Sequence, residues 1–179
     1  MREVNDFKKS MTEDAAREEI ADDSLPDSTL DIGYTITLAT DDLISIQFDV
    51  GTYSRGAAHP NSNSVALNFD VRNGKLLKLA DLFTPGAKYL QALSAFAIKD
   101  LKRQSKEKGP DGMLEDETIE DGAGPKAKNF DSWTITKKGL GITFDSYQVA
   151  PYAAGPQYVL VPYAALKDLI APNGPIAAF

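Results

Sequence analysis

The chain carries one histidine, His59, in "GTYSRGAAHPNSNS", residues 51 to 64. Imidazole is the side chain best suited to proton transfer near neutrality, but a catalytic histidine needs a nucleophile or a metal beside it. This stretch offers Ser54, Ser62 and Ser64 with no G-x-S-x-G setting, so its chemistry favours a binding or tethering role for His59. Cysteine is absent, which removes disulfides, thiolate metal sites and thiol nucleophiles and leaves zinc only carboxylates beside a single imidazole. Calcium would draw on Asp111, Glu115, Asp116, Glu117, Glu120 and Asp121, yet "DGMLEDETIEDG" lacks the D-x-[DN]-x-[DN]-G register. Residues 109 to 123 are therefore expected to be a solvated acidic loop. No G-x-G-x-x-G or G-x-x-x-x-G-K-[ST] occurs, so no cofactor and no metal is expected.

Two other groupings bear on function. Asp49, Asp70, Asp81, Asp131 and Asp145 fall near predicted strand ends, and glycoside hydrolysis would need two such carboxylates across a cleft, one kept protonated by apolar surroundings. Acids at strand ends are commonly caps and turn residues. The second grouping is "FDSYQVAPYAAGPQYVLVPY", where Tyr147, Tyr152, Tyr158 and Tyr163 stand among Pro151, Gly155, Pro156 and Pro162. Tyrosine offers a large contact area with a polar tip at little entropic cost. This segment is either a binding surface or the cover of a sheet edge.

These residues must be positioned by elements whose periodicity is plain. Val4, Phe7, Met11, Ala15 and Ile20 recur at helical spacing, ended by "ADDSLPDST". Alternation at Ile32–Leu38, Ile44–Val50 and Val65–Val71 predicts three strands, and Asn73-Gly74 suits a type I′ hairpin leading into "KLLKL". Thr84 before Pro85 reads as a helix start, with Leu90, Leu93, Ala97 and Leu101 as the buried stripe. Residues 109 to 128 read as a long exposed loop. "SWTIT", "LGITF" and "QYVLVP" then resume the strands, the last as one buried on both faces, before a short helix "YAALKDLI" and a tail "APNGPIAAF". The fold class is α+β, an antiparallel or mixed sheet with helices packed on one side. At 179 residues such a chain can bury ~70% of its unfolded surface.

The net charge of −7 is concentrated: residues 1 to 29 hold nine acids against four bases, and residues 109 to 123 hold six acids and no base. An acidic chain without a basic stripe or an aromatic RNP-like cluster excludes nucleic acid as the main partner. No apolar stretch is long enough to span a bilayer, and Met1 leads into a charged segment, so neither a signal peptide nor an anchor is visible in the chain.

Together, "SIQFDVGTYSRGAAHPNSNSVALNFDVRNGKLLKLADLF" and "GLGITFDSYQVAPYAAGPQYVLVPYAAL" resemble the domain of unknown function at the C-terminus of RsiV-like anti-sigma factors, also found in PdaC-type peptidoglycan deacetylases. The resemblance rests on Tyr53, Gly56, Ala58, His59 and Pro60; on Asn68, Asp70, Gly74, Lys75, Leu77, Leu79, Asp81, Leu82 and Phe83; and on Gly139, Leu140, Phe144, Tyr147, Val149, Ala150, Pro151, Tyr152 and Gly155. Ala57 stands where that family often has a second glycine.

The resemblance implies a fold related to a subdomain of the Hsp70-type ATPases. It divides the chain into a companion helix-plus-hairpin module, residues 1–55, truncated at its first strand, and an RsiV-like module, residues 56–172, packed as one unit. It further implies a non-enzymatic, extracytoplasmic binding module of the bacterial envelope, in the periplasm or at the cell surface, whose partner is c-type lysozyme or peptidoglycan glycan. The expected binding surface is Tyr53, Arg55, Gly56, His59, Pro60, Asn61, Tyr147, Pro151, Tyr152 and Gly155, with no catalytic residue. A hydrolase using paired carboxylates and a purely structural module are the alternatives.

Overall fold

A computed structural model describes residues 2–15, 26–109 and 113–179. Its elements are α1 (Arg2–Ala15), β1 (Thr29–Ala39), β2 (Leu43–Tyr53), β3 (Asn61–Asp70), β4 (Lys75–Leu76), α2 (Tyr89–Lys108), α3 (Asp116–Gly122), β5 (Trp133–Ile135), β6 (Gly139–Phe144) and β7 (Gln157–Pro162). In α1, Val4 and Phe7 are half-buried between exposed Asn5, Asp6, Lys8 and Lys9. The predicted extension of this helix to Ile20, much of the turn cluster after it, and Asp111 lie outside the described residues.

The strands form two antiparallel sheets, β1-β2-β3-β4 and β5-β6-β7, which bears out the α+β class. The predicted module boundary at 55/56 falls between β2 and β3, which pair from Leu43↔Asp70 to Thr52↔Asn61.

A buried polar network joins the two sheets. The Ser45 hydroxyl donates to Asn68 Oδ1 at 2.6 Å, and Asn68 Nδ2 donates to the Trp133 carbonyl at 2.8 Å. The Ile135 N–H reaches both Ser45 Oγ and Asn68 Oδ1, and Thr37 donates to the Ile135 carbonyl. Each buried polar atom in this chain of contacts therefore has a partner, which is what makes polar residues tolerable between sheets.

On the second sheet, α2 buries Leu93, Ala97 and Leu101 as predicted, and Gln104 Nε2 donates to the Tyr158 carbonyl of β7.

Several local expectations are corrected. Residues 71–74 form a four-residue turn in place of a type I′ hairpin, since only Gly74 has positive φ. The Asp70 carboxylate accepts from the Asn73 N–H and Nδ2, an Asx-type arrangement that holds Asn73 out of the left-handed region. Thr84 does not start a helix. Its carbonyl accepts from Ala87 N–H across Pro85-Gly86, with Gly86 at φ 81°, a turn that proline and glycine together favour, and α2 begins only at Tyr89. The strand buried on both faces is β6, the central one, while β7 alternates buried Gln157, Val159 and Val161 with exposed Tyr158. The short helix after β7 is a single 3-10 turn, Tyr163–Ala165. The tail packs back: Ile176 is fully buried and Phe179 lies against Tyr163.

The largest correction concerns residues 109 to 128, which hold α3 in place of a loop. Ile119 and Ala123 bury completely, and Lys102 of α2 binds Asp116 at 3.0 Å and Glu120 at 2.6 Å. A seven-residue helix with this composition has little intrinsic stability; its apolar anchor and the cation from α2 supply what propensity does not.

Candidate functional site

The loop after β2 begins with a turn in which Ser54 carbonyl accepts from Ala57 N–H, with Gly56 at φ 82°. That conformation suits glycine at the third turn position, whereas Ala57 has no positive φ and needs no glycine. Arg55 anchors the loop to the entry of β1, its N–H donating to Ser28 Oγ and its guanidinium lying 3.2 Å from Asp27. The loop is thus pinned at its root and projects His59.

Opposite it, the segment after β6 turns back through Tyr147, whose φ is +70°. Gln148 fixes this turn: its Nε2 donates to the carbonyls of Gly122 and Asn129, both at 3.0 Å. Further on, Gly155 at φ 65° closes the turn before β7, and Gln157 Nε2 donates to the Ala154 and Gly155 carbonyls.

The two loops meet through aromatic rings. His59 stacks on Tyr152 with centroids 4.1 Å apart and planes at 26°, and Tyr152 lies 5.6 Å from Tyr147. Tyr152 Oη donates to the Pro60 carbonyl at 2.6 Å. His59 Nδ1 lies 3.0 Å from the same oxygen, so the tautomer protonated there also donates to it. His59 is therefore a tether between loops, held by stacking and by a shared acceptor, and no hydroxyl nucleophile is paired with it in the described contacts.

Tyr147 stands at the open end of this stack, 63% exposed. It forms a ridge between two depressions. One, of about 270 Å³, is polar: Thr52, Asn61, Ser62, Asn63 and Ser146 line it, with Tyr147 and Tyr152 as its wall. The other, of about 300 Å³, is lined by Glu115, Thr118, Ala150 and Pro151, with Tyr147 again in its wall. A concave surface with an aromatic wall and a few amide and hydroxyl groups can hold a small polar ring by stacking and hydrogen bonds.

Of the residues predicted from sequence, the structure brings His59, Pro60, Asn61, Tyr147, Pro151 and Tyr152 to one surface. Tyr53, Arg55, Gly56 and Gly155 line neither depression. Arg55, Gly56 and Gly155 shape the loops, and Tyr53 ends β2 opposite Thr29. Sequence reasoning missed Thr52, Ser62, Asn63, Ser146, Glu115, Thr118 and the supporting Gln148. The asparagine-serine run beside His59 was the available signal for the first depression. The second leaves no such signal, because the residues that form α3 lack helical periodicity in the sequence.

Tyr147 supplies a direct test of whether its conformation serves the surface. A non-glycine residue in the left-handed region costs roughly 1–2 kcal/mol, while glycine adds unfolded-state freedom that offsets much of the relief. Tyr147→Gly is therefore expected to leave Tm within about 3 °C of the parent. A larger fall in a thermal melt would make the ring a structural support.

Besides Glu115, two further carboxylates lie near this surface. Asp145 Oδ1 accepts from Ser64 N–H at 2.9 Å, and Ser64 pairs with Asp49 across β2 and β3. Burial holds the Asp145 carboxyl above the usual carboxylate range, opposed by its hydrogen bonds to Ser64 and reinforced by the charge of Asp49. Its folded pKa exceeds the unfolded one, so its contribution favours the fold below the unfolded pKa and is lost as pH rises through the folded pKa. Asp145→Asn keeps an acceptor for Ser64 and removes the charge. It is expected to gain in Tm over the parent at about pH 7 and to lose that advantage near about pH 3. Circular dichroism melts at both values check this, and a constant gap would remove the electrostatic account. Neither Asp49 nor Asp145 lines either depression.

Among the described residues no group of three or more His, Asp or Glu converges to hold a metal ion, and no helix is long and apolar enough to cross a membrane.

Comparison with known proteins gives the following. Residues 80–164 match the family described as "Protein of unknown function (DUF3298)". The chain is 29% identical over 169 residues to the peptidoglycan-N-acetylmuramic acid deacetylase PdaC of Bacillus subtilis (strain 168), covering 94% of this chain and 34% of that protein. It thus spans about a third of the length of this curated relative. A DUF3298-family crystal structure from Bacteroides fragilis NCTC 9343 superposes with TM-score 0.69 at 23% identity, covering 98% of this chain and 66% of that one. A second, from Pseudomonas aeruginosa PAO1, gives TM-score 0.61 at 21% identity, covering 79% and 62%. These structures share the fold; the likeness to an Hsp70-type subdomain stays an expectation.

Proposed function

We propose, from the premise that residues 80–164 carry a DUF3298 domain and that the chain is homologous to part of a peptidoglycan deacetylase, that this chain is a non-enzymatic glycan-binding module of the bacterial cell envelope, working outside the cytoplasm. The observation that carries this reading is the exposed Tyr147 ridge, backed by Tyr152 and His59 and flanked by two shallow depressions. Each depression has room for about one sugar ring, and the first offers asparagine and serine side chains in place of charged ones.

Glycan is favoured over c-type lysozyme because the surface is concave on the scale of a ring. Protein partners are more often met by a broad patch with a central buried anchor. The hydrolase reading needs two carboxylates facing the ligand. Glu115 alone lines the second depression and no carboxylate lines the first; Asp49 and Asp145 lie outside both, and Asp145 spends an oxygen on Ser64.

The test is calorimetric titration with N-acetylglucosamine tetramer and with c-type lysozyme, using the parent and Tyr147→Ala. Saturable glycan binding that weakens at least tenfold in a folded Tyr147→Ala variant supports the reading. No heat with glycan at millimolar concentration ends it. One-to-one binding of lysozyme alone would move the partner to a protein, and silence from both would leave a structural module.

A further inference from the structure

Charge around the Tyr147 ridge bears on which glycan would occupy it. No lysine or arginine lines either depression. The nearest guanidinium identified at the loop root, that of Arg55, lies against Asp27. Carboxylates, by contrast, come close on both sides. Glu115 lines the second depression directly. Asp145 precedes Ser146 of the first depression and binds Ser64 N–H next to Asn63 of the same depression.

Of the acids from Glu115 to Asp121, Glu115 and Glu117 form no ion pair among the described residues, and only Glu115 lines a depression. Asp116 and Glu120 are engaged by Lys102, and Asp121 by Lys126. Glu115 is exposed and forms no ion pair among the described residues. It lines the second depression together with Tyr147, Thr118, Ala150 and Pro151. A carboxylate accepts hydrogen bonds but donates none, and the face of a tyrosine ring attracts a ligand cation. An ammonium group between them satisfies both; an acetamido group or a carboxylate on the ligand satisfies neither as well.

We infer that the second depression is a subsite for a de-N-acetylated amino sugar, with the protonated amine held by Glu115 against the Tyr147 ring. This rests on the glycan reading above and adds the identity of the unit recognised. A metal ion is the weaker occupant, since Glu115 is the only carboxylate lining this depression and no group of three or more ligating side chains is found among the described residues.

The experiment compares N-acetylglucosamine tetramer with its fully de-N-acetylated counterpart, at a pH below neutrality where the amine is protonated, at low and raised salt. The proteins are the parent, Glu115→Gln, and Asp168→Asn as a control that removes one exposed charge beyond the opposite end of β7. The amine form is expected to bind about fivefold tighter, as suits one exposed ion pair, with the preference shrinking at raised salt. The ratio should fall to about one in Glu115→Gln and persist in Asp168→Asn.

Equal affinities in the parent, or tighter binding of the acetylated form, overturn this inference and leave the glycan reading in place. An amine preference that survives Glu115→Gln, or that Asp168→Asn abolishes, overturns the assignment to Glu115. Binding of neither oligomer ends both readings.

Discussion

Asn68→Ala is expected to destabilise the protein by about 3–5 kcal/mol. Asn68 is 1% exposed and its amide serves three partners. Oδ1 accepts from Ser45 Oγ and the Ile135 N–H, while Nδ2 donates to the Trp133 carbonyl. Alanine leaves the Ser45 proton without this acceptor and the Trp133 carbonyl without this donor, in a space no longer filled by the amide. Each such orphan costs about 1–3 kcal/mol. Thr37 and Ser45 extend the same network across β1 and β2, so the loss acts on the contact between the two sheets rather than on one strand. Denaturant unfolding of the variant checks this. A loss below about 1 kcal/mol would show that solvent or repacking replaces the amide and that the junction is held by apolar contact alone.

The second large effect is expected at Gly122, the last residue of α3. A Cβ there would sit 1.8 Å from the Gln148 carbonyl oxygen, 2.7 Å from its carbon and 2.9 Å from Val149 Cγ1. Backbone meets backbone at this point, so no rotamer change relieves it. The segment cannot simply withdraw, because Gln148 Nε2 bonds the Gly122 and Asn129 carbonyls and Val149 is fully buried. Gly122→Ala should cost about 3 kcal/mol or more. It should also displace Tyr147, the neighbour of Gln148, and so weaken ligand binding in the fraction that folds. Gly33→Ala is the comparison: nothing lies within 4 Å of its added Cβ, and a change within about 0.5 kcal/mol is expected. Similar stabilities for the two variants would mean that α3 and the Tyr147 segment are not packed as described.

Both predictions lie where distant parts of the chain meet, and that is also where reading the sequence stopped. Alternation marked β1, β2 and β3 because side chains along a strand alternate between its two faces, although Ile32, Tyr34 and Ile36 of β1 lie exposed rather than buried, and the stripe at Leu93, Ala97 and Leu101 marked α2 because a helix face repeats every three to four. His59 and Tyr152 were both identified as surface candidates from local composition.

Their stacking was not, since it depends on two loops 93 residues apart being brought together by β3 and by the turn after β6. Nor could periodicity separate Tyr147, exposed at the ridge, from Tyr163, buried against Thr136. The four tyrosines share one chemistry and differ only in what folds over them.

The same limit explains α3. Seven residues rich in acid carry no helical signal, and only Lys102 and the pocket around Ile119 make the helix favourable.

What the sequence determined by itself was therefore the set of elements whose stability is local and periodic, the absence of thiol chemistry and of nucleotide-binding motifs, and two candidate segments, one around His59 and one rich in tyrosine. The tertiary structure alone decided which of those side chains converge, which carboxylates are tied up in ion pairs, and which tyrosine faces solvent. Convergence is a property of long-range packing, and a side chain's type and spacing carry no record of the partner that the fold will place against it.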